Sequence, residues 1–282
     1  MKQKVWFITG ASKGFGLAIA KAALANGDKV VATVRKNKEA LADSLNEKDR
    51  LLVVQLDVTR EHEVKAGVEK SIATFGAIDV LVNNAGYGLL AAAEEASDEE
   101  VKQQYDTNVF GLLNVTRSVL PHMRRQGSGH IINVSSLFGY SVPYPGFGIY
   151  GSTKFAVEGI SEGLALEVKP WGIHVTSVAP GLFSTKFASN ESYQTSRIIL
   201  DSYNDTVGSA RKFMKQLDGN QPGDPSKLAM VLIELTNTKN PPLHLPIGKD
   251  AVAAFRTKMA SMQKEVDEWD DVSSSTDHHI MN

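Results

Sequence analysis

Tyr150 and Lys154 stand four residues apart in the stretch YGSTK. On a helix that spacing puts a phenol and an ammonium on one face. A free phenol titrates near ~10, too high for proton exchange at neutral pH, and a cation one turn away favours its phenolate. The pair is a candidate for acid–base work, although an isolated pair of this kind is more often an aromatic packed beside a surface lysine. Upstream, Ser135 and Ser136 end an apolar run, and Asn108 interrupts an otherwise helical pattern in DTNVFG; asparagine is a poor helix former. A second kind of chemistry is offered by TGASKGFG at 9–16, where Gly10, Gly14 and Gly16 are spaced G-x-x-x-G-x-G. Backbone N–H groups in such a loop can cradle phosphate, but a sharp turn would also select small residues. No Gly-Lys-Ser/Thr ends the loop, which excludes Walker-type nucleotide binding.

The surrounding elements decide between these readings. Short β-branched runs recur at 5–9, 29–34, 51–58, 78–86, 130–136 and 173–181, and LHLPIG at 243–248 makes a seventh. They are nearly continuous rather than alternating, as expected of parallel strands buried on both faces. Helical stretches lie between them, so the chain reads as one α/β domain: a doubly wound Rossmann-type parallel sheet of about seven strands, order 3-2-1-4-5-6-7, with helices on both faces. The glycine loop then follows a strand and opens a helix, the position where N–H groups and the helix dipole hold a pyrophosphate. A helical pattern spans Asp98 to Gln126, acidic at its start and basic at Arg124-Arg125, and another runs from about Tyr150 to Lys169. Residues 186–223 break the rhythm with polar helical stretches and no strand. A helix is expected from Lys249 to about Trp269, and the polar tail from about 270 is expected to be loose.

Composition bounds the function classes. Among 282 residues, 42% are hydrophobic and 22% charged, with a net charge of −2 and no cysteine. Disulfides and thiolate chemistry are excluded, and nothing in the charge points to nucleic acid or an anionic membrane. No stretch approaches the ~20 apolar residues of a membrane span, so the chain reads as soluble and cytoplasmic. The seven histidines show no metal spacing, and no metal is assigned.

TGxxxGxG at 9–16, Asp57-Val58, NNAG at 83–86, Asn108, the serine pair, Tyr-x-x-x-Lys at 150–154 and Pro180-Gly181 occur in one order. Together they resemble the short-chain dehydrogenase/reductase family. PGFGIYGSTKFAVEG and PPLHLPIGKDAV are similar to its hydroxysteroid-dehydrogenase-like branch. The resemblance implies a reversible, nicotinamide-dependent reduction of ketones or aldehydes. It makes Tyr150 the general acid in reduction and the base in alcohol oxidation, with Lys154 lowering its pKa and holding the nicotinamide ribose. It gives Ser136 the substrate carbonyl, although the spacing to Tyr150 is one residue longer than the family's and leaves Ser135 as an alternative. It gives Asn108 a proton-relaying water. For the cofactor it implies Gly10, Ser12, Lys13, Gly14, Phe15 and Gly16 in the loop, and Asp57 and Val58 on the adenine side. Asn84, Ala85 and Gly86 would lie along the ribose, and Pro180, Gly181 and Thr185 near the nicotinamide, with Thr185 on its carboxamide. Asn83 is expected to bind backbone between strands.

NAD-preferring relatives carry an acidic residue about twenty positions beyond the glycine loop. Here Val34 occupies that place and Arg35 follows. With Lys13, the Arg35 fork suits a 2′-phosphate, which points to NADP(H). Aromatic and aliphatic residues near the site (Phe138, Tyr140, Tyr144, Phe147, then Phe187, Tyr193, Ile198, Ile199 and Phe213) suggest an apolar pocket for a small hydrophobic carbonyl substrate. A sugar-nucleotide epimerase or dehydratase would more often show GxxGxxG and a larger C-terminal domain; a non-catalytic NADP-sensing regulator would tend to lose the tyrosine or lysine. Val109, Leu112, Val115, Phe155, Val157 and Ile160 give two helices more than one apolar face, so a homodimer or homotetramer is expected.

Overall fold

In the computed structural model, which describes residues 3–185, 193–217 and 219–278, the apolar runs form one parallel sheet. Its strands are β1 (Val5–Ile8), β2 (Lys29–Val34), β3 (Leu51–Gln55), β4 (Val80–Asn83), β6 (Gly129–Val134), β7 (Ile173–Pro180) and β9 (His244–Ile247). A two-stranded parallel pair, β5 (Gly88–Leu90) and β8 (Tyr193–Thr195), lies outside it. The spatial order is β3-β2-β1-β4-β6-β7-β9, the doubly wound order expected once the seven sheet strands are counted in sequence. The order reverses between β1 and β4, which opens a crevice beyond their carboxyl ends.

Successive side chains of each strand bury on opposite faces. Trp6 and Ile8 join a core with α1 (Gly14–Ala25) and α8 (Pro225–Leu235), through Ile19, Ala23, Leu228 and Leu232. Val5 and Phe7 join the opposite core with α3 (Glu61–Phe75), α5 (Gly111–Gln126) and α6 (Gly148–Val168), through Val64, Val68, Val115, Val119 and Leu164. A third cluster, including Leu90, Phe138, Phe147, Tyr150, Tyr193, Val207 and Met214, sits above the carboxyl end of the sheet. Its helix α7 spans Ser209–Leu217. A short helix, α2 (Lys38–Leu45), completes the half of the sheet around β2 and β3.

Three sequence expectations change here. The Asp98–Gln126 pattern is not one helix: α4 (Asp98–Tyr105), held by a Ser97–Glu100 capping box, passes through a π turn at Asp106–Phe110 into α5. Residues 186–223 do contain a strand, β8, whose three residues are too few to show a period. The last helix, α9 (Lys249–Ser274), continues five residues past Trp269, so the tail expected to be loose is helical as far as Ser274. No helix among the described residues is long and apolar enough to cross a membrane.

Candidate active site

The glycine loop connects β1 to α1. Gly10 and Gly14 have φ of +66° and +55°, in the left-handed region that glycine enters without strain. Gly16 is required for another reason: a Cβ there would stand 2.4 Å from the Gly10 carbonyl oxygen and 2.7 Å from Asn84 Nδ2. The first turn of α1 has no side-chain cap and no acidic residue, so its N–H groups and positive dipole end face the loop. Ser12 is exposed on the loop and Lys13 stands at the N-cap. These features fit a dinucleotide pyrophosphate.

NNAG, at the end of β4, braces that loop. Asn84 Nδ2 donates to the carbonyls of Thr9 (2.9 Å) and Gly10 (3.1 Å). The bridging of backbone expected of Asn83 therefore belongs to Asn84. Asn83 instead turns inward and donates to Thr116 Oγ1 and Asn133 Oδ1, both at 2.9 Å. Ala85 lies against Gly10, where a Cβ would approach its Cα to 3.1 Å. Gly86 leaves little room for a side chain: a Cβ there would press on Asn108 Oδ1 at 3.0 Å, with Lys154 Nζ at 3.8 Å. Of the two residues expected on the adenine side, Asp57 accepts from the Thr59 amide (2.9 Å) and hydroxyl (2.8 Å), while the Val58 carbonyl accepts from Asn114 Nδ2. Arg35 stands exposed just beyond the end of β2.

Asn108 lies in the π turn, an irregularity that recurs at functional sites. Its side chain is engaged on both sides: Oδ1 accepts from the Tyr87 amide (3.1 Å), and Nδ2 donates to the Tyr87 carbonyl (2.9 Å) and Thr153 Oγ1 (3.1 Å). It thus ties the segment after β4 to the helix that carries Tyr150 and Lys154.

Tyr150 and Lys154 occupy successive turns of α6 and are both buried. Lys154 Nζ donates to the Val134 carbonyl at 2.8 Å and lies 5.8 Å from the centre of the Tyr150 ring. Burial pushes the Tyr150 phenol up to about 12, and a hydrogen bond with Ser136 draws it back. This is opposite to the lowering expected from the sequence. Burial also pushes Lys154 down to about 8, against the attraction of Glu158. Desolvation is the largest cause of both shifts, and the tyrosine is a proton donor at neutral pH. The same hydrogen bond singles out Ser136 from its neighbour, since Ser135 Oγ is buried with no hydrogen-bond partner.

A pocket opens beside this group. Ser135, Ser136, Phe138 and Tyr150 line it together with Pro180, Gly181 and Thr185, and Phe15, Phe183, Leu182, Met214 and Leu217 supply most of its apolar wall. Phe15 and Phe183 meet edge to face at 5.3 Å. Gly181 owes its identity to Asp250, whose carboxylate accepts the Leu182 amide at 2.6 Å and would clash with any Cβ at 181.

Several residues expected in the pocket lie elsewhere. Tyr140 turns away to Phe255 and donates to Glu158 at 2.7 Å. Ile198 and Ile199 are exposed, Tyr144 stacks on Phe213 at 5.4 Å, and Phe147 and Tyr193 pack beneath the pocket wall. Phe187 lies outside the described residues. Sequence reasoning missed Gln221, which lines the pocket with both amide atoms buried and without hydrogen-bond partners. It also missed Glu95, fully buried and ion-paired with Arg211. Neither residue carries a spacing signal. Of the six residues expected to give α5 and α6 a second apolar face, Val109, Leu112, Val115 and Val157 are in the core of the single chain. The apolar residues left exposed on that side are Phe110, Phe155 and Leu166.

Residues 4–196 match the family described as short chain dehydrogenase. The chain belongs to the short-chain dehydrogenase/reductase family. It is 41% identical to oxidoreductase BOA17 of Botryotinia fuckeliana over 96% of this chain and 98% of that one. It is 41% identical to a 3-ketodihydrosphingosine reductase of Bacteroides thetaiotaomicron, covering 88% of this chain and 89% of that one. A short-chain dehydrogenase structure from Streptomyces avermitilis superposes with a TM-score of 0.91 at 40% identity, covering 98% of this chain and all of that one. The chain is an oxidoreductase, and members of its family bind NAD or NADP.

Proposed function

We propose that the protein reduces a hydrophobic ketone or aldehyde to an alcohol with NADPH. The observation that carries this reading is a protonated, buried tyrosine hydrogen-bonded to Ser136 at the mouth of an apolar pocket. The dinucleotide supplies a hydride when bound. Gly10, Ser12, Lys13, Gly14 and Gly16 would hold its phosphates, and Asp57, Val58, Asn84, Ala85 and Gly86 would border its adenine and ribose portions. Pro180, Gly181 and Thr185 would border its nicotinamide end. The Ser136 hydroxyl and the Tyr150 phenol donate to the substrate oxygen, and Tyr150 gives up its proton as negative charge develops there. Lys154 stabilises the phenolate left behind, while Asn108 ties α6, through Thr153, to the Tyr87 backbone.

Phe15, Phe183, Met214 and Leu217 favour a substrate with an extended apolar part, and the Gln221 amide offers it one neutral polar contact. The name of the Bacteroides relative, 3-ketodihydrosphingosine reductase, supports a ketone of this kind. Arg35 in place of an acidic residue supports the phosphorylated cofactor. Phe110, Phe155 and Leu166 are the surface through which we propose a homo-oligomer of a cytoplasmic enzyme.

The test is kinetic, with a panel of apolar ketones and both cofactors. Each charge-assisted contact to the 2′-phosphate is worth about 1.5–3 kcal/mol, so kcat/KM should favour NADPH at least ~10-fold. Equal or higher values with NADH would refute the assignment. Tyr150→Phe should lower kcat by about 10²–10⁴-fold with NADPH affinity unchanged. No turnover on any ketone by the wild type would return the protein to the epimerase or sensor readings.

A further inference from the structure

The start of α9 packs on the body of the protein. Ala251 and Phe255 are buried there, and the Phe255 ring lies 3.7 Å from that of Tyr140. Beyond this point the helix leaves the body, and every described residue from Met259 onward is exposed. That stretch is not uniformly polar. Met259, Met262, Val266 and Trp269 follow Phe255 at alternating steps of four and three residues, and each of the four is 51–62% exposed. Apolar residues repeated every 3.5 positions on one face make the seam of a coiled coil, which needs a facing helix to leave water.

The charges indicate which helix. Lys249, Arg256 and Lys258 flank the first half of α9, whereas Glu265, Asp267, Glu268, Asp270 and Asp271 crowd the second half around a single lysine, Lys264. Such an acidic end is repelled by an anionic lipid surface. A parallel copy of the helix would set like charge against like, and an antiparallel copy sets each acidic end on a basic start. That start also has room to receive it: Gly248, Lys249, Val252, Ala253 and Arg256 border an open, mostly apolar depression.

We propose that α9 is a self-association element, pairing antiparallel with α9 of a second copy. In the register that opposes Lys258 to Glu265, Met259 faces Met262 and Trp269 settles on Val252 at the depression. Each seam therefore closes over the root of the other helix, a contact separate from the α5–α6 face.

Light scattering at micromolar concentration tests the pairing. Val266→Glu combined with Trp269→Glu should halve the mass of the wild-type assembly. The circular dichroism spectrum should be unchanged, because both side chains are exposed in the single chain, while the melting temperature should fall as the stabilisation from association is lost. Equal masses for variant and wild type would overturn the proposal. The absence of cysteine allows orientation to be read directly. A mixture of Val252→Cys and Trp269→Cys chains should oxidise to the mixed dimer. The two positions lie about 25 Å apart along a helix, so Trp269→Cys chains alone should not cross-link in an antiparallel pair. Self-cross-linking of Trp269→Cys would overturn the antiparallel arrangement. Flotation of a monomeric wild type with phosphatidylcholine–phosphatidylserine vesicles would assign the face to lipid and overturn the pairing.

Discussion

The two walls of the active-site crevice are built by different means. The dinucleotide wall, β1 to β4 with the glycine loop, is shaped by backbone: positive φ at Gly10 and Gly14, the missing Cβ of Gly16, and Asn84 holding two loop carbonyls. The substrate wall is assembled from side chains distant in sequence. Glu95 braces the helix that carries Met214 and Leu217: it accepts the amides of Ala92 (2.8 Å) and Leu200 (3.0 Å) and pairs with Arg211 on that helix. Nearby, Ser196 Oγ donates to the Glu95 carbonyl (2.7 Å) and to Glu100 (3.1 Å), which also accepts the Arg197 amide. One wall is local and rigid by geometry; the other is long-range and rigid by buried charge. A ligand common to a family can be met by fixed backbone, whereas a substrate wall built from side chains can vary without disturbing the sheet.

The contrast breaks first at Gly16. Gly16→Val should abolish dinucleotide binding, measured by fluorescence titration, because the new side chain would occupy the space of the Gly10 carbonyl and Asn84. Retained binding at wild-type affinity would mean that the loop geometry does not create the site.

Next in size is Glu95→Gln. Burial pushes this carboxyl up, but the Ala92 and Leu200 amides and the Arg211 guanidinium hold it below its ordinary value. Removing one partner of a buried pair leaves the other charge uncompensated, at a cost of about 3–5 kcal/mol. We expect a large fall in denaturation midpoint and a raised substrate KM, with dinucleotide affinity preserved. Loss of both affinities together would show that the walls are not independent.

The smallest effect concerns Lys154 and is read as stability against pH. Its folded value near 8 lies below the ordinary 10.5, so between these values the unfolded chain binds more protons. Stability from this group therefore rises with pH across that window. Tyr150, pushed up to about 12, acts in the opposite sense once an unfolded tyrosine ionises above ~10. The melting temperature should climb from pH 8 toward 10 and fall beyond it, and Lys154→Met should remove the climb. A climb that survives in the variant would assign it to other groups.

Legibility in the sequence follows the same division. The strand order, the glycine loop, Tyr150 and Lys154 are all visible as short patterns. The Tyr-x-x-x-Lys spacing showed which groups meet but predicted the wrong direction for the tyrosine, because burial is a property of the packed cluster and not of spacing. Asn83 and Asn84 are adjacent identical residues. Only their alternation across the end of β4 decides that one points into the core and the other at the loop.

What the amino-acid order determined by itself is whatever depends on neighbours a few residues away: runs of β-branched residues, helix periodicity, positive-φ glycines and an i, i+4 catalytic pair. Tertiary structure alone decided the rest. It placed Met214, Leu217 and Gln221 opposite Ser136, joined Glu95 to Arg211, demanded Gly181 for Asp250, and left the apolar seam of α9 without a partner in its own chain. Each of these outcomes depends on which surfaces remain after the sheet and its helices have packed. No window of sequence contains that information, because the contacting residues lie up to a hundred positions or more apart along the chain.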